Sequence, residues 1–135
     1  MVDRDELIGI YDYHLEIFSR CYDMMGRLLD ISSVKREVES RRLSDIYIYG
    51  GGYLGIQLYR AISPFVNVIS VVDKQGKLLL DSIEDIPVVD LGAFQNQYNG
   101  QPVIITPLKF YEEIYYELKE FVAENNIIFL EEFGR

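Results

Sequence analysis

The sequence predicts an α/β fold with a three-layer, parallel sheet of strand order 3-2-1-4-5, preceded by N-terminal helices. Short apolar runs alternate with helical patterns from residue 46 onward, which is typical of parallel strands joined by crossover helices. Right-handed crossovers then favour a doubly wound sheet of this order. The length of 135 residues and a hydrophobic content of 49% agree with one ordinary globular chain that needs no metal or disulfide to fold.

Residues 1–44 are predicted to form an N-terminal helical extension. Its apolar residues recur every three or four positions, which indicates one apolar helix face: Leu7, Ile8, Tyr11, Leu15, Phe18, Tyr22, Met25 and Leu29. Ser32 and Ser33 offer an N-cap for a second helix through about Arg42. The stripe predicts either a homodimer through the N-terminal helices or a helix that covers the sheet.

The remaining residues, 45–135, are predicted to form the sheet domain. Its strands are predicted at 46–49, 66–72, 87–89, 103–105 and 127–130. Its helices are predicted at 53–62, after an Asp90 cap through 98, and from Thr106-Pro107 to about 124. Ser63-Pro64 ends the first of these helices, and a turn is predicted at 73–77.

A glycine-rich loop follows the first strand and opens the next helix. Gly50-Gly51-Gly52-Tyr53-Leu54-Gly55 fits the pattern G-x-G-x-x-G in the context that gives this pattern meaning. Gly50 permits a tight turn, Gly52 lets a diphosphate approach the backbone, and Gly55 lets the helix pack closely. Free N–H groups and the helix dipole suit an anion. The six residues therefore predict a nucleotide or phosphate site, and the alternative is a sharp turn with no ligand.

Three further residues are predicted at the same edge of the sheet. Asp73 ends the second strand, where an acidic residue commonly binds the ribose hydroxyls of a dinucleotide, and this position favours NAD over NADP. The alternative is an Asp that caps its own turn. Lys74 could contact a phosphate or be solvated. Thr106 ends the fourth strand beside the loop, and it could contact the ligand or cap its own helix.

Composition excludes several other classes of function. The net charge of −9 argues against a nucleic-acid partner. One histidine, His14, and one cysteine, Cys21, exclude a Cys/His zinc cluster, so no metal site is predicted. The loop lacks the Lys-Ser/Thr ending of a nucleotide triphosphatase. No Ser-His-Asp set lies near it, and the catalytic residues therefore stay unassigned.

Residues 45–130 resemble a widespread bacterial Rossmann-like module. The resemblance is carried by the segments "IYIYGGGYLGIQLYRAI", "VISVVDKQGK", "DIPVVDL", "PVIIT" and "EEIYYELKEF". They look like the N-terminal domain of sugar O- and N-acyltransferases and like modules of surface-glycan biosynthesis enzymes. The resemblance implies that Gly50, Gly52 and Asp73 would touch a nucleotide-sugar. It also implies that acyl transfer would need a further domain, which supplies the catalytic histidine in that family.

These observations together predict a nucleotide-binding recognition or sensing module, linked to polysaccharide biosynthesis. The ligand is predicted to be a nucleotide-sugar or NAD, and the module is not a complete enzyme alone. The alternative is a non-catalytic dimerisation scaffold in which the glycine loop is vestigial. No apolar stretch approaches the ~18 residues that span a membrane, so a cytoplasmic protein without a membrane partner is expected.

Overall fold

The computed structural model of the chain describes residues 3–74 and 86–133. Its strands are β1 (Asp45–Tyr49), β2 (Asn67–Val72), β3 (Val88–Val89), β4 (Val103–Ile105) and β5 (Ile127–Phe129). Its α-helices are α1 (Arg4–Leu28), α2 (Ile31–Arg41), α3 (Tyr53–Ile62), α4 (Leu91–Gln97) and α5 (Tyr111–Leu118). Single 3₁₀ turns cover Leu108–Phe110, Glu124–Asn126 and Leu130–Glu132.

The five strands form one parallel sheet of order β3-β2-β1-β4-β5, which confirms the predicted fold class and strand order. Tyr49 at the end of β1 pairs with Val72 on one side and with Ile105 on the other. The carboxyl ends of β1, β2 and β4 are therefore level. In a doubly wound sheet the crevice outside the ends of β1 and β4 is where ligands bind.

Alternate residues of β1 face two separate cores, because successive side chains of a strand point to opposite faces of the sheet. Ile46 and Ile48 face the core formed with α1, α2 and α3, which also buries Val34 and Val38 of α2. Tyr47 and Tyr49 face the core formed with α4 and α5, where Phe94 is fully buried. The helices thus cover both faces of the sheet, and α2 shares its core with α3.

Two helix ends differ from the prediction. The carboxylate of Asp30, rather than Ser32 or Ser33, caps α2 by accepting the Ser33 N–H at 3.2 Å. The helix α5 begins at Tyr111 and ends at Leu118, several residues inside the predicted 107–124. Val122 nevertheless stays buried, because the chain makes one further turn after Leu118, in which the Val122 N–H donates to the Leu118 carbonyl at 2.8 Å. The apolar spacing in the sequence therefore continues past the last residue of α5, because Val122 is buried although it is not part of the helix.

The apolar stripe of α1 is not the face that packs on the domain. Among the α1 side chains that the structure describes, those of Met24 and Leu28 are buried in the core. The predicted stripe lies about a quarter of a turn away and is exposed: Leu7 (54%), Ile8 (54%), Leu15 (48%), Phe18 (64%), Tyr22 (72%), Met25 (38%) and Leu29 (77%). The side chain of Tyr11, the remaining member, is outside the described part of the chain, as are residues 75–77 of the predicted turn.

Candidate functional site

The glycine-rich loop joins β1 to α3 at the carboxyl edge of the sheet. The Gly50 N–H donates to the Val72 carbonyl at 2.8 Å, which ties the start of the loop to β2. Gly50 has a φ of +120°, a backbone conformation that residues with a side chain rarely adopt. The tight turn that the sequence assigns to Gly50 is therefore a backbone requirement of this loop.

Gly55 is required for a different reason, which is close packing. A Cβ at position 55 would overlap the carbonyl oxygen of Gly50 and come within 3.2 Å of the Thr106 hydroxyl. A Cβ at position 50 would likewise overlap that hydroxyl and lie 2.9 Å from the ring of Pro107. The first and third glycines of the motif therefore serve the fold of the chain itself.

Gly52 differs from both of these glycines. It is the N-cap of α3, it has an extended backbone with a φ of −84°, and it is exposed. A Cβ at this position would meet no atom of residues 3–74 and 86–133 within 4 Å. Neither backbone conformation nor packing of the described residues therefore requires glycine here. Because Gly52 has no side chain, the space at the start of α3 is open.

The N-terminus of α3 presents its backbone N–H groups to this space. Gly52 has no side chain that could accept a hydrogen bond from them, and the first N–H groups of a helix have no partner within the helix. Gly51, between the first and second glycines of the motif, is buried. Of the next two residues, Leu54 points into the core, whereas 59% of Tyr53 is exposed at the rim of the loop. The arrangement suits an anion that is held by backbone donors.

Thr106 lies under the loop and is buried, with 1% of its surface exposed. Its hydroxyl donates to the Tyr49 carbonyl at 2.9 Å, and its N–H donates to the same oxygen at 3.0 Å. It does not cap the following helix, which is the alternative that the sequence left open. Thr106 instead ties β4 to β1 and supports the loop from below.

Polar side chains gather beside the loop where β1 and β2 end. The Tyr49 hydroxyl donates to the Glu117 carboxylate at 3.5 Å, and the Lys74 ammonium lies 3.6 Å from the same carboxylate. Burial, and then the negative charge of Glu117, raises the pKa of the Tyr49 phenol. Asp73, partly buried at the end of β2, adds to this effect. Asp73 and Lys74 thus lie at the edge that the sequence predicted.

Sequence reasoning missed Tyr49 and Glu117 as members of this cluster. Tyr49 directly precedes Gly50, so the strand end itself was a signal for it. Glu117 comes from the middle of α5 and reaches the cluster only because that helix packs on the same face as Tyr49. No local pattern could have identified it.

The remaining chemistry-bearing residues lie elsewhere. His14 is exposed on α1 and contacts the ring of Tyr13, and Cys21 is a partly buried free thiol against the α1–α3 core. Glu112 and Glu113 are exposed on α5. Glu131 is not a simply solvated carboxylate, because it pairs with Arg20 of α1.

No protein-family model, no curated protein and no solved structure matches this chain. Within residues 3–74 and 86–133, no helix is both long and apolar enough to cross a membrane.

Proposed function

We propose that this protein binds a nucleotide-type ligand at the glycine-rich loop and acts as a recognition or sensing module. The observation that carries the proposal is the contrast among the three glycines of the motif. Gly50 and Gly55 are needed by the fold, whereas Gly52 faces open space with an ordinary φ. A backbone that must be approached closely by a phosphate accounts for a glycine at this position.

Backbone donors resolve the conflict between an acidic protein and an anionic ligand. The net charge of −9 is spread over the whole chain, and exposed charges are screened beyond roughly 10 Å at 0.1 M salt. The N–H groups and dipole at the start of α3 act at contact distance. A diphosphate on this helix terminus, with its ribose toward Asp73, is the ligand pose that we infer.

The candidate ligands are NAD and a nucleotide-sugar. Asp73 disfavours a 2′-phosphate through charge repulsion, which makes NADP the weaker candidate. The resemblance to modules of surface-glycan biosynthesis favours a nucleotide-sugar. No residue beside the loop is assigned a catalytic role, and the proposed function is therefore binding, with chemistry left to a partner or to another domain.

A thermal-shift experiment on the purified 135-residue chain tests this proposal. The panel is NAD, NADP, UDP- and CDP-sugars, coenzyme A and S-adenosylmethionine. A ligand at ~100 times its Kd adds about 2.7 kcal/mol of stability, which raises the Tm by several degrees. Gly52→Val should abolish the shift, while its Tm without ligand should fall by no more than a few degrees. Gly9→Val is the matched control, because a Cβ at exposed Gly9 also meets nothing within 4 Å.

Two results would count against ligand binding at this loop. One is that no member of the panel raises the Tm of the unaltered chain. The other is that Gly52→Val folds normally and retains the full shift.

We infer self-association through α1 as a second function, which corresponds to the scaffold alternative. The specific observation is the exposed apolar stripe of this helix, in which Tyr22 and Leu29 are 72% and 77% exposed. Large contiguous apolar patches on a protein surface mark interaction sites. Association of two copies of the chain would be detected by analytical ultracentrifugation as an average mass that rises with protein concentration, whether or not a ligand is bound.

A further inference from the structure

The exposed stripe of α1 repeats with the spacing of a coiled-coil seam. We define the seam as six residues whose separations alternate between four and three once position 11 is counted: Ile8, Leu15, Phe18, Tyr22, Met25 and Leu29. They fall on the a and d positions of a heptad, the pattern by which helices pack side by side. All six are exposed, so the seam is not used inside the monomer.

The area of the seam matches the size of a stable protein interface. Phe and Tyr side chains bury roughly 150–250 Å² each when they are covered completely, and Leu, Ile and Met bury somewhat less. The exposed fractions of the seam residues and of adjacent Leu7 correspond to at most roughly 800 Å² per copy, if all of this surface is covered. This is about the area that each partner buries in a standard-size interface. A helix seam of this kind is self-complementary under two-fold symmetry, so a second copy of the chain is the occupant that it fits.

The helix dipole and the acidic first half of α1 favour one direction for that second copy. Residues 4–16 carry four carboxylates and one arginine, whereas residues 17–28 carry two arginines and one carboxylate. Parallel helices would align the two acidic halves and both dipoles. Antiparallel helices oppose the two dipoles favourably and separate the two acidic halves, which include Asp5 and Glu6.

One antiparallel register uses every seam residue within α1. It places Ile8 beside Met25 and Leu15 beside Phe18 of the second copy, so that a larger side chain faces a smaller one. The first turn of each helix then lies at the end of α1 in the other copy. A groove of about 420 Å³ is present there. It is lined by Tyr22, Asp23, Gly26, Arg27, Asp30 and Ser33.

We propose that two copies of this chain associate through the α1 seam as an antiparallel helix pair. This rests on the second proposed function, self-association, and is independent of ligand binding at the glycine loop. The pair would cross at the boundary between Glu16 and Ile17. Each copy keeps its own glycine loop, because the loop lies at the sheet edge and contributes nothing to the seam.

The interface is tested by sedimentation equilibrium on the full chain. Phe18→Glu places a carboxylate at the centre of the seam and should weaken dimerisation at least 100-fold. The matched control is Tyr116→Glu on α5, since Tyr116 is also exposed (53%) but lies on the opposite side of the sheet. Circular dichroism should be unchanged for both variants, because neither side chain is buried within the monomer. The Tm of Phe18→Glu should no longer rise with protein concentration, whereas that of Tyr116→Glu should still do so.

The direction is tested with spin labels on single cysteines in a Cys21→Ser background that retains the dimer. An antiparallel pair separates labels at Asp5→Cys by roughly 35 Å along the axis, at 1.5 Å per residue. It brings labels at Ser19→Cys to within roughly 15 Å. A parallel pair would give two short distances, of roughly 10–15 Å each.

The two experiments test three statements separately: that the chain self-associates, that the seam is the interface, and that the two helices are antiparallel. A dimer that Phe18→Glu dissociates and Tyr116→Glu retains, with a long distance at position 5, supports the proposal. A dimer that Phe18→Glu leaves intact overturns the seam, and a short distance at position 5 overturns the antiparallel direction. A chain that stays monomeric at ~100 μM overturns self-association itself.

Discussion

The carbonyl group of Gly50 occupies the space that a Cβ of Gly55 would need. These two glycines therefore hold the first turn of α3 against the end of β1, with Thr106 beneath them. The contact explains why the loop is rigidly specified by the chain itself, even before any ligand is considered. It also separates the structural glycines from Gly52 in a way that substitution can measure.

Gly55→Ala should lower the free energy of unfolding by about 3 kcal/mol or more, because the obstruction is backbone and cannot rotate away. Gly52→Ala is the matched control and should change it by no more than about 1 kcal/mol, since its φ is ordinary and its surroundings are open. Urea denaturation of both variants without ligand measures the difference. Equal losses would show that the two positions are not structurally distinct.

Thr106→Val should lower the free energy of unfolding by about 1 kcal/mol through the loss of the hydroxyl bond to the Tyr49 carbonyl. The Thr106 N–H still donates to that oxygen, so no buried acceptor is left without a partner. Thr106→Ser keeps the hydroxyl and serves as the control. A valine variant as stable as the serine variant would contradict this role of the hydroxyl.

The protein should lose stability above about pH 10, which is the ordinary pKa of tyrosine. Burial is the main cause that raises the pKa values of Tyr49 and Tyr111, and Glu117 adds to the shift at Tyr49. Both groups stay protonated in the native state while the unfolded chain ionises. Their contribution to stability is therefore complete below pH 10 and declines as the pH rises.

Denaturation between pH 8 and pH 11 measures this effect. In the double variant Tyr49→Phe and Tyr111→Phe, the free energy of unfolding should decrease less steeply with rising pH. Tyr53→Phe changes an exposed side chain and should leave the slope as it is. A decline of the same steepness in the double variant would rule out these two phenols as its source.

Arg20 and Glu131 should be energetically coupled, and the coupling should join α1 to the end of the sheet domain. The Arg20 Nε donates to both carboxylate oxygens of Glu131 at 3.1 Å, and both side chains are partly buried. A double-mutant cycle with Arg20→Gln and Glu131→Gln should give a coupling of about 1 kcal/mol that decreases in 1 M salt. The more exposed pair of Asp23 and Arg27 should give less than about 0.5 kcal/mol. Equal coupling energies for the two pairs would contradict the expectation that the more buried pair is the stronger one.

Much of the fold follows from local patterns. The bounds of α3 and β4 match the predicted ranges, and Asp90 caps α4 by accepting the Ala93 N–H at 2.8 Å as expected. These elements were predictable because each is specified by its own residues: glycines and Ser63-Pro64 around α3, a β-branched run in β4, and one capping side chain in α4. The strand order followed from the handedness of crossovers, which is general.

The candidate site was predictable only in part. The motif identified the loop, but it could not distinguish Gly52 from Gly50 and Gly55, because the distinction depends on which atoms surround each Cα. The same limit applies to Thr106, whose hydroxyl bonds to a strand 57 residues earlier. Glu117 reaches Tyr49 through the packing of α5, and nothing local encodes that contact.

The sequence by itself determined the order of elements, the parallel sheet and the position of the glycine loop, since these depend on periodicity and turn chemistry within short segments. Only the tertiary structure decided which face of α1 is buried. Met24 and Leu28 pack in the core, whereas Met25 and Leu29, one residue further along, remain exposed. Both stripes have helical spacing and apolar side chains. The choice between them depends on the shape of the surface that α2 and α3 present, which exists only once the chain has folded.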